Sequence, residues 1–234
     1  MGKPLSLEVP GNIAHHLASF ITAERYARLT EVLSKRTRRL SCFLENVFDP
    51  HNLSACMRSC DAFGIQDVHI LPQEGLKLKL SGDVSSGSHR WLDHTVYSNV
   101  TDAIEHFKAE GYQIVVTDLQ GDSPPLNLEE VPIGAKTMVA FGSEHEGISD
   151  TLRRAADLRI AVPMHGFVQS LNISVACALT MQRLRERQIS ETGVAGDLSE
   201  NQRRQILDRW ILNDLPKSRQ ILEELRRRAL EPAP

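Results

Sequence analysis

The chain has 234 residues, 41% of them hydrophobic and 24% charged, with a net charge of −3. This suits one fairly large globular domain with appended helices, and it excludes a wholly basic nucleic-acid binder while leaving room for a local basic surface. No apolar run reaches the roughly 18 residues of a membrane helix, the N-terminus lacks a signal-peptide pattern, and the four cysteines, Cys42, Cys56, Cys60 and Cys177, form no C-x-x-C pair; the expectation is reduced, buried thiols in a cytoplasmic protein.

Residues 1–20, with Pro4, Pro10 and Gly11, read as an N-terminal extension. In 21–40, Tyr26, Leu29, Val32 and Leu33 recur at helical spacing. The same segment carries Arg25, Arg28, Lys35, Arg36, Arg38 and Arg39 against Glu24 and Glu31, a basic helix whose charges are either a solvated face or a nucleic-acid contact. A strand is expected at 42–47, a turn at 49–52, and a helix at 53–63 with Asn52 as its N-cap and Gly64 closing it. Strands follow at 67–71, 94–97, 113–117, 137–141 and 158–162. The helices between and after them are read at 100–110, 150–156 and 170–188, and the segments 80–91 and 121–132 as loops. Beyond Gly193 and Gly196, residues 201–212 and 217–230 are helical by pattern. Residues 201–228 hold eight positive charges against four negative ones.

Strands alternating with helices imply an α/β fold with a mostly parallel sheet, in which ligands bind outside the carboxyl ends of the strands. Those ends are the loops after Thr117, Phe141 and Val162. No strand is followed by G-x-G-x-x-G, and no P-loop is present, so standard nucleotide fingerprints are missing. The organisation expected is an extension over 1–20, an α/β domain with its basic helix over 21–190, and basic helices over 191–234, which would hold a polyanion against the core.

Three constellations carry candidate chemistry. His51-Asn52 lies six residues before Arg58; Asn52 alone is explained by capping, and Arg58 by a surface pair with Asp61. Gly142-Ser143-Glu144-His145-Glu146-Gly147 frames two carboxylates and a histidine with glycines at a strand end, and contiguous ligands of this kind fit poorly around one metal ion. Ser170 and Asn172 open an apolar helix and are both N-cap types; Ser170 lacks the G-x-S-x-G context of a hydrolase nucleophile.

Together these motifs, Glu45-Asn46-Val47-x-x-Pro50-His51-Asn52-Leu53-Ser54-Ala55-x-x-Arg58, Phe141-Gly142-Ser143-Glu144-x-x-Gly147 and Val162-Pro163-Met164-x-Gly166-x-Val168-Gln169-Ser170-Leu171-Asn172, resemble the SpoU/TrmH (SPOUT) family of RNA ribose 2′-O-methyltransferases. Arg25-Tyr26-x-Arg28-Leu29 and Gly87-Ser88-His89-Arg90-Trp91 are similar to the branch that acts on guanosine 18 in the D-loop of tRNA. The resemblance implies a deep C-terminal trefoil knot, S-adenosylmethionine as cofactor, tRNA as substrate, a homodimer that completes the active site, and no metal or membrane partner. It puts the cofactor at Thr117, Gly142, Val162 and Leu171. It assigns Arg58 to the 2′-hydroxyl proton with Asn52 holding it, while Glu144, Ser170 and Asn172 shape the site. A guanidinium is ordinarily a permanent cation, so Arg58 could instead orient the hydroxyl and a phosphate bidentately. The alternatives are another tRNA or rRNA nucleotide, or a non-catalytic knotted RNA-binding protein. Val175, Ala178, Leu179 and Met181 offer more apolar surface than one sheet face requires, which points to a dimer interface on that helix.

Overall fold

The computed structural model describes residues 20–73, 87–120, 124–143 and 146–215, together with 220, 221 and 224. They form two compact units: Arg36–Asp197, and the described residues on either side of it. The helices are α1 (Ala23–Leu33), α2 (Pro50–Ala62), α3 (Val100–Ala109), α4 (Asp150–Ala155), α5 (Ile173–Thr192) and α6 (Glu200–Asp214). The strands are β1 (Leu40–Glu45), β2 (Asp67–Leu71), β3 (Asp93–Val96), β4 (Gln113–Thr117), β5 (Thr137–Phe141) and β6 (Leu158–Ile160).

The six strands among the described residues make one sheet in the order β3-β2-β1-β5-β4-β6, and every neighbouring pair is parallel. An all-parallel sheet needs cover on both faces, and its central strands are apolar throughout for that reason. Alternate residues go to opposite sides. Cys42, Leu44, Val115, Val139 and Phe141 pack with Leu53, Cys56, Met57 and Cys60 of α2 and with Ile173, Cys177, Met181 and Leu184 of α5. Phe43, Ile114, Val116, Met138 and Ala140 pack with Ala103, Ile104 and Phe107 of α3 and Leu152 of α4. Chain order reverses between β1 and β5, which places a crevice at the carboxyl ends of those strands.

Several boundaries differ from the sequence expectation. Helix α2 begins at Pro50, and its N-cap is Asp49, whose carboxylate accepts from the His51 N–H at 2.8 Å. Proline at the first helical position has a preset φ and no N–H to satisfy, so Asp-Pro starts the helix three residues early. Asn52 is therefore in the first turn rather than at the N-cap. Strand β6 ends at Ile160, and α5 starts only after Asn172, leaving 161–172 as a long loop with Ser170 outside the helix. The helical reading of 217–230 and most of the 80–91 loop fall outside the described residues.

The basic N-terminal segment resolves differently as well. Helix α1 ends at Leu33, so Arg36, Arg38 and Arg39 lie beyond it. Arg36 is buried and pairs with Asp61, the partner the sequence reading gave to Arg58. Arg38 donates to Asp67 at 2.7 Å and to Asp93. In the flanking unit Arg25 pairs with Asp214 of α6 at 2.6 Å, and Arg28 and Lys35 share Glu31. Much of the apparent surplus is thus matched by carboxylates. On the other flank Arg203 and Arg204 are exposed, and Arg226–Arg228 lies outside the described residues.

Asp67 shows how costly an internal charge is. Burial, against the pull of Arg38, pushes its carboxyl up to about 7 from an ordinary 3.8. Between those values the folded protein holds a proton that the unfolded chain releases, so this group's contribution to stability falls as pH rises through that window. Asp67→Asn should therefore gain on the wild type as pH goes from about 4 to 7. Guanidinium unfolding of both proteins across that range checks it; a constant difference would contradict the assignment.

Candidate active site

The site is built where the chain leaves β1, β4, β5 and β6. The turn after β1 depends on Asn46, whose φ of 55° is the one positive value at a non-glycine among the described residues. Asparagine tolerates that left-handed conformation better than a branched residue. The Asn46 N–H donates to the Leu71 carbonyl at 2.8 Å, and the chain then enters α2. This puts Asn52 in the first turn of α2 and Arg58, exposed, about 9 Å further along the helix axis.

Asn172 meets that turn from the other end of the sequence. Its side-chain oxygen caps α5, accepting from the Ser174 N–H at 2.9 Å and the Ser174 hydroxyl at 2.6 Å. Its Nδ2 donates to Oδ1 of Asn52 at 3.2 Å. The first and third constellations, 120 positions apart, are therefore in contact. Ser170 lies exposed two residues before the cap, while Val162 and Leu171 are half-buried in the same loop.

The second constellation is held by its backbone. Ser143 and Gly147 exchange two hydrogen bonds of 3.0 Å, and Gly147 has a φ of 69°. A Cβ on Gly142 would lie 2.0 Å from the Gly147 carbonyl carbon and 2.2 Å from the Ile148 nitrogen. Only glycine lets the loop fold back so closely. Glu144 and His145 lie outside the described residues, so their roles rest on sequence alone.

Two residues to which the sequence reading gave no role fix these loops. Glu45 ends β1 with no exposure, and its carboxylate accepts from the Ser149 N–H at 2.8 Å and the Ser149 hydroxyl at 2.6 Å. Ser149 caps α4, so a buried carboxylate sits at a helix N-terminus, where the exposed N–H groups compensate its charge. Arg153 of α4 donates to Asp118 at 2.6 Å, to the Ile148 carbonyl at 3.3 Å and to Gln120 at 3.4 Å. It thereby ties the loop after β4 to the loop after β5. Thr117 adds a bond from its hydroxyl to the Ala140 carbonyl at 3.0 Å. The readable signal for Glu45 was a carboxylate following an apolar run at the head of the first motif; for Arg153, nothing in its short helix marked it.

The arrangement is thus a set of backbone-lined loops at the carboxyl ends of adjacent strands, with the Asn52 and Asn172 amides in contact beside them and the exposed Arg58 further along α2. Residues 39–182 match the SpoU rRNA Methylase family, well over half of the chain. The chain belongs to the SpoU/TrmH family. It is 42% identical, over 72% of its own length and 76% of the relative's, to a tRNA (guanosine(18)-2′-O)-methyltransferase of Borreliella burgdorferi. Its fold is similar to the crystal structure of the Aquifex aeolicus TrmH/SpoU tRNA modifying enzyme, with a TM-score of 0.74 and 37% identity, covering 83% of this chain and 98% of that one. It is also similar to the SpoU methyltransferase AviRb of Streptomyces viridochromogenes in complex with AdoMet, with a TM-score of 0.57 and 25% identity, covering 66% and 62%.

The Gly142 geometry generates a test. Gly142→Ala in this family member should cost at least about 2 kcal/mol, because the methyl group meets backbone that cannot swing aside. The midpoint of denaturant unfolding reads this directly, and an unchanged midpoint would show that the loop is not closed as described.

Proposed function

We propose that the protein methylates the ribose 2′-hydroxyl of guanosine 18 in tRNA, using S-adenosylmethionine. The observation that carries this is the Asn52–Asn172 contact, which joins two family motifs at the carboxyl edge of the sheet, in a chain whose relatives bear that activity in their names.

The loops fit the cofactor by their chemistry. Residues 118–120, 142–143 and 161–172 follow β4, β5 and β6, which are adjacent in the sheet. They combine backbone polar groups with apolar side chains such as half-buried Val162 and Leu171 and exposed Leu119. Thr117, Gly142, Val162 and Leu171 would hold the adenosine and methionine parts, largely through backbone. When bound, S-adenosylmethionine supplies a methyl group already activated on a sulfonium. The protein's remaining tasks are to orient the hydroxyl and to let its proton leave. Arg58 is suited to the first task, since a guanidinium engages a hydroxyl and a neighbouring phosphate with parallel donors. Asn52 and Asn172 fix the start of α2 against the start of α5, and by the family resemblance Ser170 and Glu144 would help shape the site.

Two further features belong to this reading. The first is a trefoil knot: the chain leaves β6 at one edge of the sheet, yet α5 packs against α2, beyond β4 and β5. A threaded return accounts for that path. The second is a homodimer. Val175 and Leu179 of α5 are exposed, as are Phe167 and Val168 in the preceding loop, so this apolar surface suits a second copy. Met181, expected in the same interface, is instead fully buried inside the protomer, because it faces the sheet. Exposed Arg203 and Arg204 of α6, with the basic run after it, would contact the tRNA backbone. No described helix is long and apolar enough to cross a membrane.

Labelled S-adenosylmethionine should modify a tRNA transcript but not the same transcript carrying 2′-deoxyguanosine at position 18. Equal labelling of both would refute the target nucleotide. Arg58→Ala should bind the cofactor normally and lose at least about two orders of magnitude in turnover, as expected for loss of a group acting at the reacting centre. Near-normal turnover by that variant would remove Arg58 from the mechanism.

A further inference from the structure

All four cysteines are free, and none has any solvent exposure. They come from distant parts of the sequence: Cys42 from β1, Cys56 and Cys60 one turn apart on α2, and Cys177 from α5. They nonetheless belong to one core cluster, and three of them converge within it. The sulfurs of Cys42, Cys60 and Cys177 all lie within 4.8 Å of one another, and those of Cys42 and Cys177 are 4.0 Å apart. Sulfurs bonded to a common ion at about 2.3 Å stand about 3.8–4.0 Å from each other by simple trigonal or tetrahedral geometry. A disulfide needs them at about 2 Å. The Cys42–Cys177 spacing is therefore close to that of two ligands around an ion, and Cys60 lies within 4.8 Å of both. Cys56, one turn before Cys60 on α2, is buried in the same core but is not part of this trio.

We propose that Cys42, Cys60 and Cys177 form a buried thiolate site for a thiophilic d10 ion, zinc(II) or copper(I), that staples β1, α2 and α5 together beneath the active site. The donor set is all sulfur, the chemistry that selects soft ions over magnesium or calcium. Loading displaces one proton from each coordinating thiol and changes no oxidation state, copper entering already reduced. The excess negative charge of a thiolate cluster needs compensation in an apolar core. Arg36, almost fully buried, supplies a positive charge that acts on Cys60, although it shares that charge with Asp61. Because the sulfurs are closed off from solvent, the ion enters as the chain folds. The consequence is positional: Cys42 is three residues before Glu45, Cys56 and Cys60 flank Arg58, and Cys177 is five residues after Asn172. A staple at this point would fix the three elements that carry the site.

The competing account is that cysteine serves here as a small apolar residue. Full-length protein purified under reducing conditions without chelator would be assayed for zinc and copper by mass spectrometry of the elements. It would then be unfolded with reductant and refolded with cobalt(II), as a stand-in for zinc, or with copper(I). The expected results are roughly a single ion per chain, a sulfur-to-cobalt charge-transfer absorption, and a higher unfolding midpoint with metal than with chelator. Cys42→Ala, Cys60→Ala and Cys177→Ala should each lose that absorption while keeping native circular dichroism. If these variants do not fold, the wild-type measurements still decide. Wild-type protein with native circular dichroism that carries no ion and shows no absorption overturns the proposal, as does a Cys42–Cys177 disulfide in the purified protein.

Discussion

Asn172 has one side-chain acceptor and one side-chain donor, and the fold uses both. The oxygen closes the first turn of α5, and the nitrogen reaches Asn52 in the first turn of α2. A cap of this kind contributes about 1 kcal/mol, a modest amount. Its structural consequence is larger than that figure, because the same amide fixes where the loop 161–172 ends and against which helix it ends. A serine or aspartate would cap as well, but neither carries the amide donor that Asn52 accepts. The identity of the residue at 172 therefore follows from two requirements at once, and the contact it makes is what brings the distant motifs together.

The other loops are held by comparable economies. Glu45 would be expensive to bury alone, but the α4 N-terminus offers it an N–H and a hydroxyl, so a charge in the interior becomes a fixed anchor. Arg153 then works outward from the same helix, reaching the loops after β4 and β5. A six-residue helix is too short to be stable by propensity, and α4 persists because both of its ends are tied in this way. The loops that line the site are thus positioned by residues that do not themselves line it. This arrangement suits the proposed binding of the cofactor through backbone atoms.

How much of this could be read from sequence follows from the range of the forces involved. The buried strands were legible because a parallel sheet covered on both faces demands unbroken apolar runs, and 113–117 and 137–141 match to the residue. The end of α2 was legible because Gly64, with a φ of 76°, follows the cap. Its start was misplaced because Asp49, Pro50 and Asn52 all favour a helix start, and the earliest of them prevailed. The charge pattern misled for a related reason. Counting charges along 21–40 treats them as exposed, whereas Arg36 and Arg38 find carboxylates 25 and 29 positions away. Partners at that separation leave no local trace. For the site, the motifs gave the loops and the amides, but the Asn52–Asn172 bond, the Glu45 anchor and the Arg153 tie all span long separations and emerge only with the fold.

Helix α5 shows the same limit from the opposite direction. Its apolar residues do not form one stripe. Ile173, Cys177, Met181 and Leu184 recur every three or four residues and are buried against the sheet, while Val175 and Leu179, four apart, lie on a separate line and are exposed. A helix that is apolar on two lines needs cover on two sides. Within the protomer α5 has a sheet and α2 on one side. The second line starts three residues beyond Asn172, beside the loop that presents Phe167 and Val168. Any surface that covers Val175 and Leu179 must therefore lie close to the loop that shapes the site. In the homodimer proposed above, a second copy on this line of α5 would lie close to the candidate site, because the helix begins at the residue that holds the motifs together.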